Sequence, residues 1–450
     1  MSTSTSLTSP AARATLRRVI DAGIAAVAPD GAVLRHLHLE GTILSAHGHV
    51  WDLSTYRRVI VLGAGKGAAP MAAALESLLG EAISDGLIVV KYDHGLPLTR
   101  IRQAEAAHPV PDQSGMDNAW AMVEMARAAT EEDLVICLFT GGASALTPAL
   151  WPGVTLEDLR VLTGLLLESG ATINEINAVR KHLSAFSGGR LIQACAPATV
   201  IGLIVSDVVG DNLDVIASGP TVPDTSTFAD CAAILEKFSL WPRVPAAIAA
   251  HLREGLAGRL PETPKPGDPV FGRVTTFIIA SLSQALEAAA AEARTLGFEA
   301  RVLRADMTGE ARDVAADLVM TARQARGGLA PGAAPCCLLA GGETTVTIRG
   351  SGRGGRNQEM ALAGAILLAG DPGIAMACAG TDGTDGPTDA AGGYADSRVA
   401  AAAREMGVDL EAALADNDSY HALERVGALL KTGPTRTNVM DMAVLLIEPE

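Results

Sequence analysis

The chain has 450 residues, of which 48% are hydrophobic and 19% charged, so it is long and apolar enough to form two hydrophobic cores. Its formal net charge of −16 and pI near 5.0 disfavour a nucleic-acid or anionic-membrane partner, because no run of lysines and arginines offsets the repulsion. An anionic small molecule would therefore have to be held by a few cations placed locally.

The N-terminal segment and the cysteines indicate where the protein resides. Arg17 and Arg18 precede a short apolar stretch, as in a twin-arginine export signal, but Asp21 interrupts it and the apolar residues recur at helical spacing. This pattern predicts a docked amphipathic helix. The six cysteines form no C-x-x-C pair or zinc-ligand spacing, which is typical of a reducing compartment, and no window approaches the roughly 18 apolar residues of a membrane span. We expect a cytoplasmic protein without a membrane partner.

From Arg58 onward, short β-branched runs alternate with alanine-rich helical patterns, which indicates parallel α/β units. The first strands are predicted at 59–62, 87–91, 134–139 and 199–205, with a helix at about 68–79. Each strand leads into a polar or glycine-rich loop, where ligands bind in open parallel sheets.

The loop after the first of these strands reads Gly63-Ala-Gly65-Lys66-Gly67-Ala. It lacks the spacing of a Walker A loop, but it matches the G-x-G-x-x-A dinucleotide pattern, for which Asp93 would be the ribose acid. A fixed lysine also suits a transferring phosphoryl group. A tight turn with a surface lysine is the third interpretation, and the residues alone leave all three open.

Four other strand-end segments carry candidate residues. In Thr-Gly141-Gly142-Ala-Ser144, the serine lies on a strand-to-helix turn but lacks the G-x-S-x-G spacing, so we expect a hydrogen-bond donor or helix cap and not a nucleophile. The other acids at strand ends are candidate magnesium ligands or general bases, although some are turn formers. These acids are Asp207, Asp211, Asp214, Glu343, Asp382, Asp385 and Asp389.

A proline-rich, charged segment at 255–272 has no hydrophobic period and is the predicted linker between domains at 1–254 and 273–450. The second domain is again predicted to be α/β. Its strands are expected at 274–280, 300–303, 336–340, 344–348 and 374–379, and its helices at 281–296 and 310–326.

The segment Arg349 to Glu359 places three arginines and four glycines before a helical pattern. Glycines allow the backbone N–H groups to approach an anion, the helix start adds partial positive charge, and an arginine binds two oxygens at once. The segment therefore predicts an anion site, with a solvated surface loop as the alternative.

Seven motifs in this order resemble the glycerate 2-kinase family, whose C-terminal part is the MOFRL domain and whose members are often labelled hydroxypyruvate reductase. They are Gly-Ala-Gly-Lys66-Gly-Ala, Thr-Gly-Gly-Ala-Ser144-Ala-Leu, Asn177-Ala-Val-Arg180-Lys181-His182-Leu-Ser, the segment from Ser206-Asp207 to Thr221, Gly-Gly-Glu343-Thr-Thr-Val, Gly-Arg356-Asn-Gln-Glu and Gly-Thr-Asp-Gly-Thr-Asp385-Gly-Pro-Thr-Asp. The resemblance spans about residues 11–447.

The resemblance implies a larger Rossmann-like N-terminal domain with a parallel sheet and a smaller C-terminal α/β domain that contains MOFRL at about 335–447, with the active site in the interdomain cleft. It implies ATP-dependent phosphorylation of D-glycerate at O2, with catalytic roles for Lys66 and Arg356. ATP and Mg²⁺ are the expected cofactors, and a homodimer is a candidate assembly.

Within that interpretation Asp207, or alternatively Asp385, is the candidate proton acceptor, and Asp385 is also the candidate metal ligand. The candidate substrate and ATP ligands are Gly63, Gly65, Gly67, Gly141, Gly142, Ser144, Arg180, Lys181, Asp211, Glu343, Arg353, Asn357 and Asp382. Two alternatives stay open: an NAD(P)H-dependent hydroxypyruvate reductase, with His108 or His182 as proton donor, and a non-catalytic sensor of small carboxylates.

Overall fold

The first described element is helix α1 (Pro10–Ala26), which buries Leu16, Val19 and Ile20 on one face, as the helical spacing predicted. The structure, a computed structural model, describes residues 10–449. Its internal contacts divide the chain into two units. The N-terminal unit is Pro29–Ile279, and the C-terminal unit joins the segment ending at Ala28, including α1, to the segment that begins at Ala280.

Nine strands and nine helices of the described chain form the N-terminal unit. The strands are β1 (His38–Glu40), β2 (Ile43–Ala46), β3 (His49–Asp52), β4 (Arg58–Ala64), β5 (Ile83–Lys91), β6 (Arg102–Ala106), β7 (Asp133–Phe139), β8 (Thr199–Val205) and β9 (Val274–Ala280). The helices are α2 (Pro29–His36), α3 (Ala68–Leu79), α4 (Gln113–Arg127), α5 (Ala143–Leu146), α6 (Leu156–Glu168), α7 (Ile173–His182), α8 (Arg190–Cys195), α9 (Phe228–Lys237) and α10 (Ala246–Leu256).

The main sheet of this unit has six strands in the order β6-β5-β4-β7-β8-β9, and β1 to β3 form a small antiparallel sheet. The neighbours from β6 to β8 pair in parallel. Every residue of β7 and β8 is buried, because helices cover both faces of such a sheet. The α/β class and the four predicted strands are thereby confirmed.

The segment 255–272, predicted as a linker, packs within the N-terminal unit. Glu262 accepts a hydrogen bond from the backbone N–H of Phe228 at 2.9 Å, and Thr263 donates to Asp224 at 2.9 Å. Strand β9, predicted to open the second domain, lies at the edge of the first sheet. The compact units therefore divide the chain elsewhere than the sequence suggested, because polar contacts anchor a segment that lacks a hydrophobic period.

The C-terminal unit adds six strands and six helices to α1. The strands are β10 (Glu299–Met307), β11 (Cys336–Gly342), β12 (Ile374–Gly380), β13 (Gly392–Asp396), β14 (Leu429–Leu430) and β15 (Asp441–Ile447). The helices are α11 (Leu282–Thr295), α12 (Ala311–Gly327), α13 (Arg356–Leu367), α14 (Ser397–Glu405), α15 (Leu410–Ala415) and α16 (Ser419–Arg425).

The sheet of this unit follows the order β10-β11-β15-β12-β13-β14, and only its β10–β11 pair is parallel. Strand β15 lies antiparallel between β11 and β12, with Asp441 in register with both Gly342 and Gly380. The start of β15 therefore lies beside the ends of two strands whose following loops carry candidate residues.

The prediction of a paired strand at 344–348 was wrong. Only Thr345 makes a bridge, to Glu310. The Glu310 carboxylate accepts hydrogen bonds from the backbone N–H of Thr347 at 3.0 Å and from its hydroxyl at 2.8 Å, which holds this segment as a loop. Ile348, which the alternation placed in the strand, is 81% exposed.

All six cysteines are buried and free of disulfides. Burial raises the pKa of the Cys195 and Cys337 thiols to about 12, so they behave as small hydrophobic side chains. Within residues 10–449, no helix is both long and apolar enough to cross a membrane.

Candidate active site

Three loops of the N-terminal unit meet at one edge of its sheet. Because β4, β7 and β8 are parallel neighbours, their C-terminal ends lie side by side. These ends carry the loop of Lys66, the loop from Thr140 to Ser144, and Asp207, in that order. The sheet topology therefore collects three of the predicted candidate loops.

The Lys66 loop lies tightly against the loop after β7. Gly65 has φ +132°, and a Cβ there would lie 2.1 Å from Thr140 Oγ1. The backbone N–H of Lys66 donates to Gly141 O at 2.9 Å, and that of Gly67 donates to Thr140 Oγ1 at 2.9 Å. The glycines thus permit close packing of two loops, and these N–H groups are used within the protein. What the loop can present to a ligand is the half-buried Lys66 side chain.

His108 lies beside the same two loops. A Cβ placed on Gly142 would lie 3.0 Å from the His108 ring and 3.5 Å from Lys66 Cγ. Burial first, and then the positive charges of Lys66 and Lys91, lower the pKa of His108 to about 4. The imidazole is therefore neutral near pH 7 and can accept or donate one hydrogen bond without adding charge.

The hydroxyls of Ser144 and Ser218 are 2.8 Å apart, and Arg180 Nη2 donates to Ser144 O at 3.3 Å. Ser218 lies in a turn with φ +59° that brings the segment after β8 back to Ser144. Burial lowers the pKa of Arg180, and no carboxylate within the described chain lies in ion-pair distance of it. A partly desolvated cation without a counter-ion is suited to bind an anion.

Lys181, although next in sequence, has a different environment. Its ammonium lies 3.3 Å from Asp224 and 3.6 Å from Asp214, and its side chain is 5% exposed. Burial opposes ionisation of Asp224, but Lys181, Ser226 and Thr263 together hold its pKa below the usual range. Lys181, Asp214, Asp224 and Ser226 line a polar cavity of about 330 Å³. The charge of Lys181 is thus largely balanced within the protein.

Two acids follow β8. Asp207 is half-buried directly beyond the strand end. Asp211 has φ +55°, and its backbone N–H donates to Val208 O at 3.1 Å, as in a tight turn. The structure therefore places Asp207 with the site loops and gives Asp211 a turn-forming position.

In the C-terminal unit, the arginine-rich loop uses its backbone N–H groups internally. Those of Arg349 and Gly350 donate to Asn417 Oδ1, and those of Ser351 and Arg353 donate to the carboxylates of Asp416 and Asp418, at 2.7 to 3.1 Å. A Cβ on Gly350 would lie 2.2 Å from Asp416 Oδ1. The glycines thus allow the loop to pack closely against the protein's own carboxylates. An external anion would have to be bound by the arginine side chains of the loop and not by its backbone N–H groups.

Arg356, the first residue of α13, is held by two carboxylates. Its Nε donates to Asp441 Oδ2 at 2.6 Å and its Nη2 to Asp441 Oδ1 at 3.2 Å, while Nη1 donates to Glu343 at 2.7 Å. The Asp441 side chain is 2% exposed and that of Glu343 50% exposed. One edge of the guanidinium is therefore fixed by a buried partner, and the other reaches a solvent-accessible one.

Burial disfavours the charged forms of Asp441 and Arg356, whereas their contact with each other favours those forms. Burial raises the pKa of Asp441 to about 6, although Arg356 and Asn357 favour its ionised form. Burial also opposes the charge on Arg356, but Asp441 and Glu343 raise the pKa of Arg356 above its usual value. At pH 7 Arg356 is charged, and Asp441 is mostly ionised and able to orient it.

Asp385 caps α13. Its carboxylate accepts hydrogen bonds from the backbone N–H groups of Asn357 at 3.1 Å and Gln358 at 2.8 Å, and from Asn357 Nδ2 at 3.3 Å. Burial raises its pKa. Oxygens used in this way are poorly placed to coordinate a metal. Among residues 10–449, no group of three or more His, Cys, Asp and Glu side chains is arranged to hold a metal ion.

Three further candidates surround this cluster. Asn357 is buried and donates from Nδ2 to Asp441 at 2.9 Å, so it supports the ion pair. Arg353 donates from Nε to Pro387 O at 2.8 Å and stacks over the Tyr420 ring. Asp382, half-buried at the end of β12, accepts from the backbone N–H of Thr384 at 3.0 Å.

Sequence reasoning missed Asp441 and Ser218 as site residues. Asp441 begins an otherwise apolar strand after Asn438-Val-Met, and a lone acid at a strand start gave no sign of its distant partner Arg356. Ser218 lay within a quoted motif but lacked an assigned role. Both are brought to the site by pairings across 74 or more residues, which local patterns do not reveal.

Comparison with known proteins shows which proteins the chain is similar to. A family model described as "Domain of unknown function (DUF4147)" matches residues 15–253, and the MOFRL family model matches residues 336–441. A glycerate 2-kinase of Pyrococcus horikoshii is 42% identical over 96% of each chain, and a D-glycerate 2-kinase of Thermotoga maritima is 41% identical over 87% of this chain and 91% of its own.

A solved crystal structure of glycerate kinase from Thermotoga maritima superposes with a TM-score of 0.86 at 38% identity, covering 98% of this chain and all of the other. The DUF4147 match spans more than half of the sequence, and the relatives align over nearly its whole length. Its Lys66 and Arg356 loops lie at the ends of sheet strands. The chain belongs to the glycerate 2-kinase family.

Proposed function

We propose that this protein is a glycerate 2-kinase that transfers the γ-phosphoryl group of ATP to the 2-hydroxyl of D-glycerate. The geometry of Arg356 carries the proposal. Its guanidinium is oriented by buried Asp441 while Nη1 faces the half-exposed Glu343. A charge held in place before the substrate binds is what stabilises a transferring phosphoryl group without reorganisation.

Arg356 would bind phosphoryl oxygens by exchanging its contact with Glu343. The Asp441 side of the fork is buried and stays in place, whereas Glu343 is exposed enough to be replaced by a ligand oxygen. Charge-assisted bonds from an arginine to phosphate are short and directional. The exchange therefore keeps the arginine neutralised both with and without ligand.

The N-terminal unit would supply the second cation and the base. Lys66 would neutralise charge on the phosphoryl group. The 2-hydroxyl oxygen of the substrate would bond to the γ-phosphorus as the bond between that phosphorus and ADP breaks, and Asp207 would accept the hydroxyl proton. Arg180, which lacks a carboxylate partner among residues 10–449, would bind a substrate carboxylate or phosphate. We assign Lys181 to structural support because Asp214 and Asp224 balance its charge.

Magnesium, when bound with ATP, neutralises phosphate charge and usually takes one or two protein carboxylates beside phosphate and water oxygens. The half-exposed carboxylate of Glu343 fits this requirement, and its release from Arg356 would make it available. Asp385 does not fit, because its oxygens accept N–H groups at the start of α13.

The reductase interpretation is less consistent with the geometry. A reductase would need a protonated donor beside the substrate carbonyl, but the pKa of His108 lies at about 4. His182 is fully buried, with Nδ1 2.8 Å from Ala178 O and Nε2 3.0 Å from Glu262. Backbone N–H groups that a dinucleotide pyrophosphate would need are bonded to the Thr140–Gly141 loop.

The deciding experiment incubates the protein with D-glycerate, ATP and Mg²⁺ and detects 2-phosphoglycerate through enolase. Hydroxypyruvate and NADH are followed in parallel by absorbance. We expect phosphorylation and no NADH oxidation. NADH oxidation without phosphorylation would establish the reductase, and carboxylate binding with neither reaction would establish a sensor.

Two variants test the residue roles in the same assay. Lys66→Ala and Arg356→Ala should each lower kcat by about a hundredfold or more, as for loss of a single electrostatic stabiliser. Arg326→Ala is the matched control, because Arg326 forms an Arg–Asp pair with Asp371 at 2.7 Å in the C-terminal unit. Near-normal turnover in folded Lys66→Ala or Arg356→Ala would contradict the assigned role.

A further inference from the structure

A cavity on the helical layer of the N-terminal unit contains a buried arginine that the proposed reaction does not use. The cavity has a volume of about 360 Å³, and residues of helices α4 and α8 line it together with Trp151 and Ala185. Arg190, at the start of α8, lines it and is 4% exposed. This residue lies outside the strand-end loops described above.

The hydrogen-bonding capacity of Arg190 is incompletely used. Its Nη2 donates to Pro261 O at 2.9 Å, whereas its buried Nε has no acceptor among residues 10–449. Its guanidinium carbon lies 5.1 Å from the centre of the Trp151 ring. Burial lowers the pKa of Arg190 to about 10, and Glu262 and Asp224 compensate only in part. A buried donor of this kind is costly unless something accepts its hydrogen bond.

The surroundings of Arg190 are rich in hydrogen-bond donors. The buried Nε1 of Trp151, which also lines the cavity, likewise has no acceptor in the described chain. Arg127 and Gln193 are exposed and form the outer wall, and Arg127 also pairs there with Glu124, which does not line the cavity, at 2.7 Å. No Asp or Glu occurs among the lining residues, all of which belong to the described range. Cationic and neutral donors without a carboxylate favour an oxyanion.

We propose that this cavity binds a small oxyanion, a carboxylate or a phosphate, through Arg190 and Trp151. The guanidinium would donate to the anion, and the indole ring with neighbouring alanine methyl groups would contact a short apolar body. The site would be independent of the Lys66 and Arg356 loops, so the proposal does not rest on the kinase activity.

The test follows tryptophan fluorescence of the full chain during titration with inorganic phosphate and, separately, with propionate. We expect a saturable change with at least one of them, since Trp151 contacts the ligand. The change should persist in Lys66→Ala and Arg356→Ala and vanish in Trp151→Phe. Saturation by phosphate alone identifies a phosphate site, and saturation by propionate alone identifies a carboxylate site.

Arg190→Met should weaken binding by about tenfold or more, the usual effect of losing a charged hydrogen bond. If Arg190→Met does not fold, Arg127→Gln and Gln193→Ala, which change exposed side chains, should each weaken binding several-fold. The proposal is overturned by titrations that do not saturate, by a response lost in Lys66→Ala, or by unchanged affinity in folded Arg190→Met or in both outer-wall variants.

Discussion

Replacing Asp441 by asparagine tests whether the buried carboxylate orients Arg356. The substitution keeps the shape and one acceptor oxygen, but it removes the charge that meets Arg356 Nε at 2.6 Å and Nη2 at 3.2 Å. Breaking a buried ion pair generally costs about 3–5 kcal/mol. Because Arg356 is 32% exposed, solvent screens part of this loss, and we expect about 2 kcal/mol of lost stability.

The effect on catalysis should exceed what the stability loss explains. An arginine free to leave its position loses its preorganisation, so kcat in the enolase-coupled assay should fall by about 10- to 100-fold in protein that is still folded. Asp396→Asn is the matched control, since Asp396 is also buried and lies 3.2 Å from Arg13 in the C-terminal unit. That variant should lose stability and keep its turnover.

Two further measurements separate positioning from general destabilisation. With a pKa of about 6, Asp441 loses its charge as the pH falls, so wild-type kcat should decline below about pH 6 and this decline should be absent from Asp441→Asn. The double variant with Arg356→Gln should lose no more turnover than Arg356→Gln alone. Additive losses, or wild-type kcat in folded Asp441→Asn, would refute the reasoning.

Three other outcomes follow from the N-terminal unit. Asp133→Asn should lower the free energy of unfolding by about 2 kcal/mol in urea denaturation. Arginine partners hold the pKa of Asp133 well below its usual range, so the difference in unfolding free energy between wild type and variant should shrink as the pH falls below about 4. Gly65→Ala should lower the melting temperature and the turnover together, since its Cβ would lie 2.1 Å from Thr140 Oγ1. Removing the Lys66 charge by Lys66→Gln should raise the pKa of His108 above about 4 in an NMR titration, and an unchanged value would show that the two groups do not interact.

Local sequence patterns were sufficient for most elements of the fold. Strands β8 and β9 and helix α3 have the predicted bounds, because β-branched runs and alanine-rich helical spacing are typical of these elements. The same patterns failed at 344–348, where alternation was produced by threonines that bond to Glu310. They also gave no basis for placing 255–272, because anchoring there depends on distant polar partners such as Asp224.

The sequence by itself determined the α/β class, the family and the loops that carry Lys66 and Arg356, since these depend on residue types at short spacing. Only the tertiary structure decided how those loops are used. Their N–H groups bond to other parts of the protein, and Asp441 reaches Arg356 because β15 inserts antiparallel between β11 and β12. Strand pairing over such separations sets which charges meet, and no local pattern encodes it.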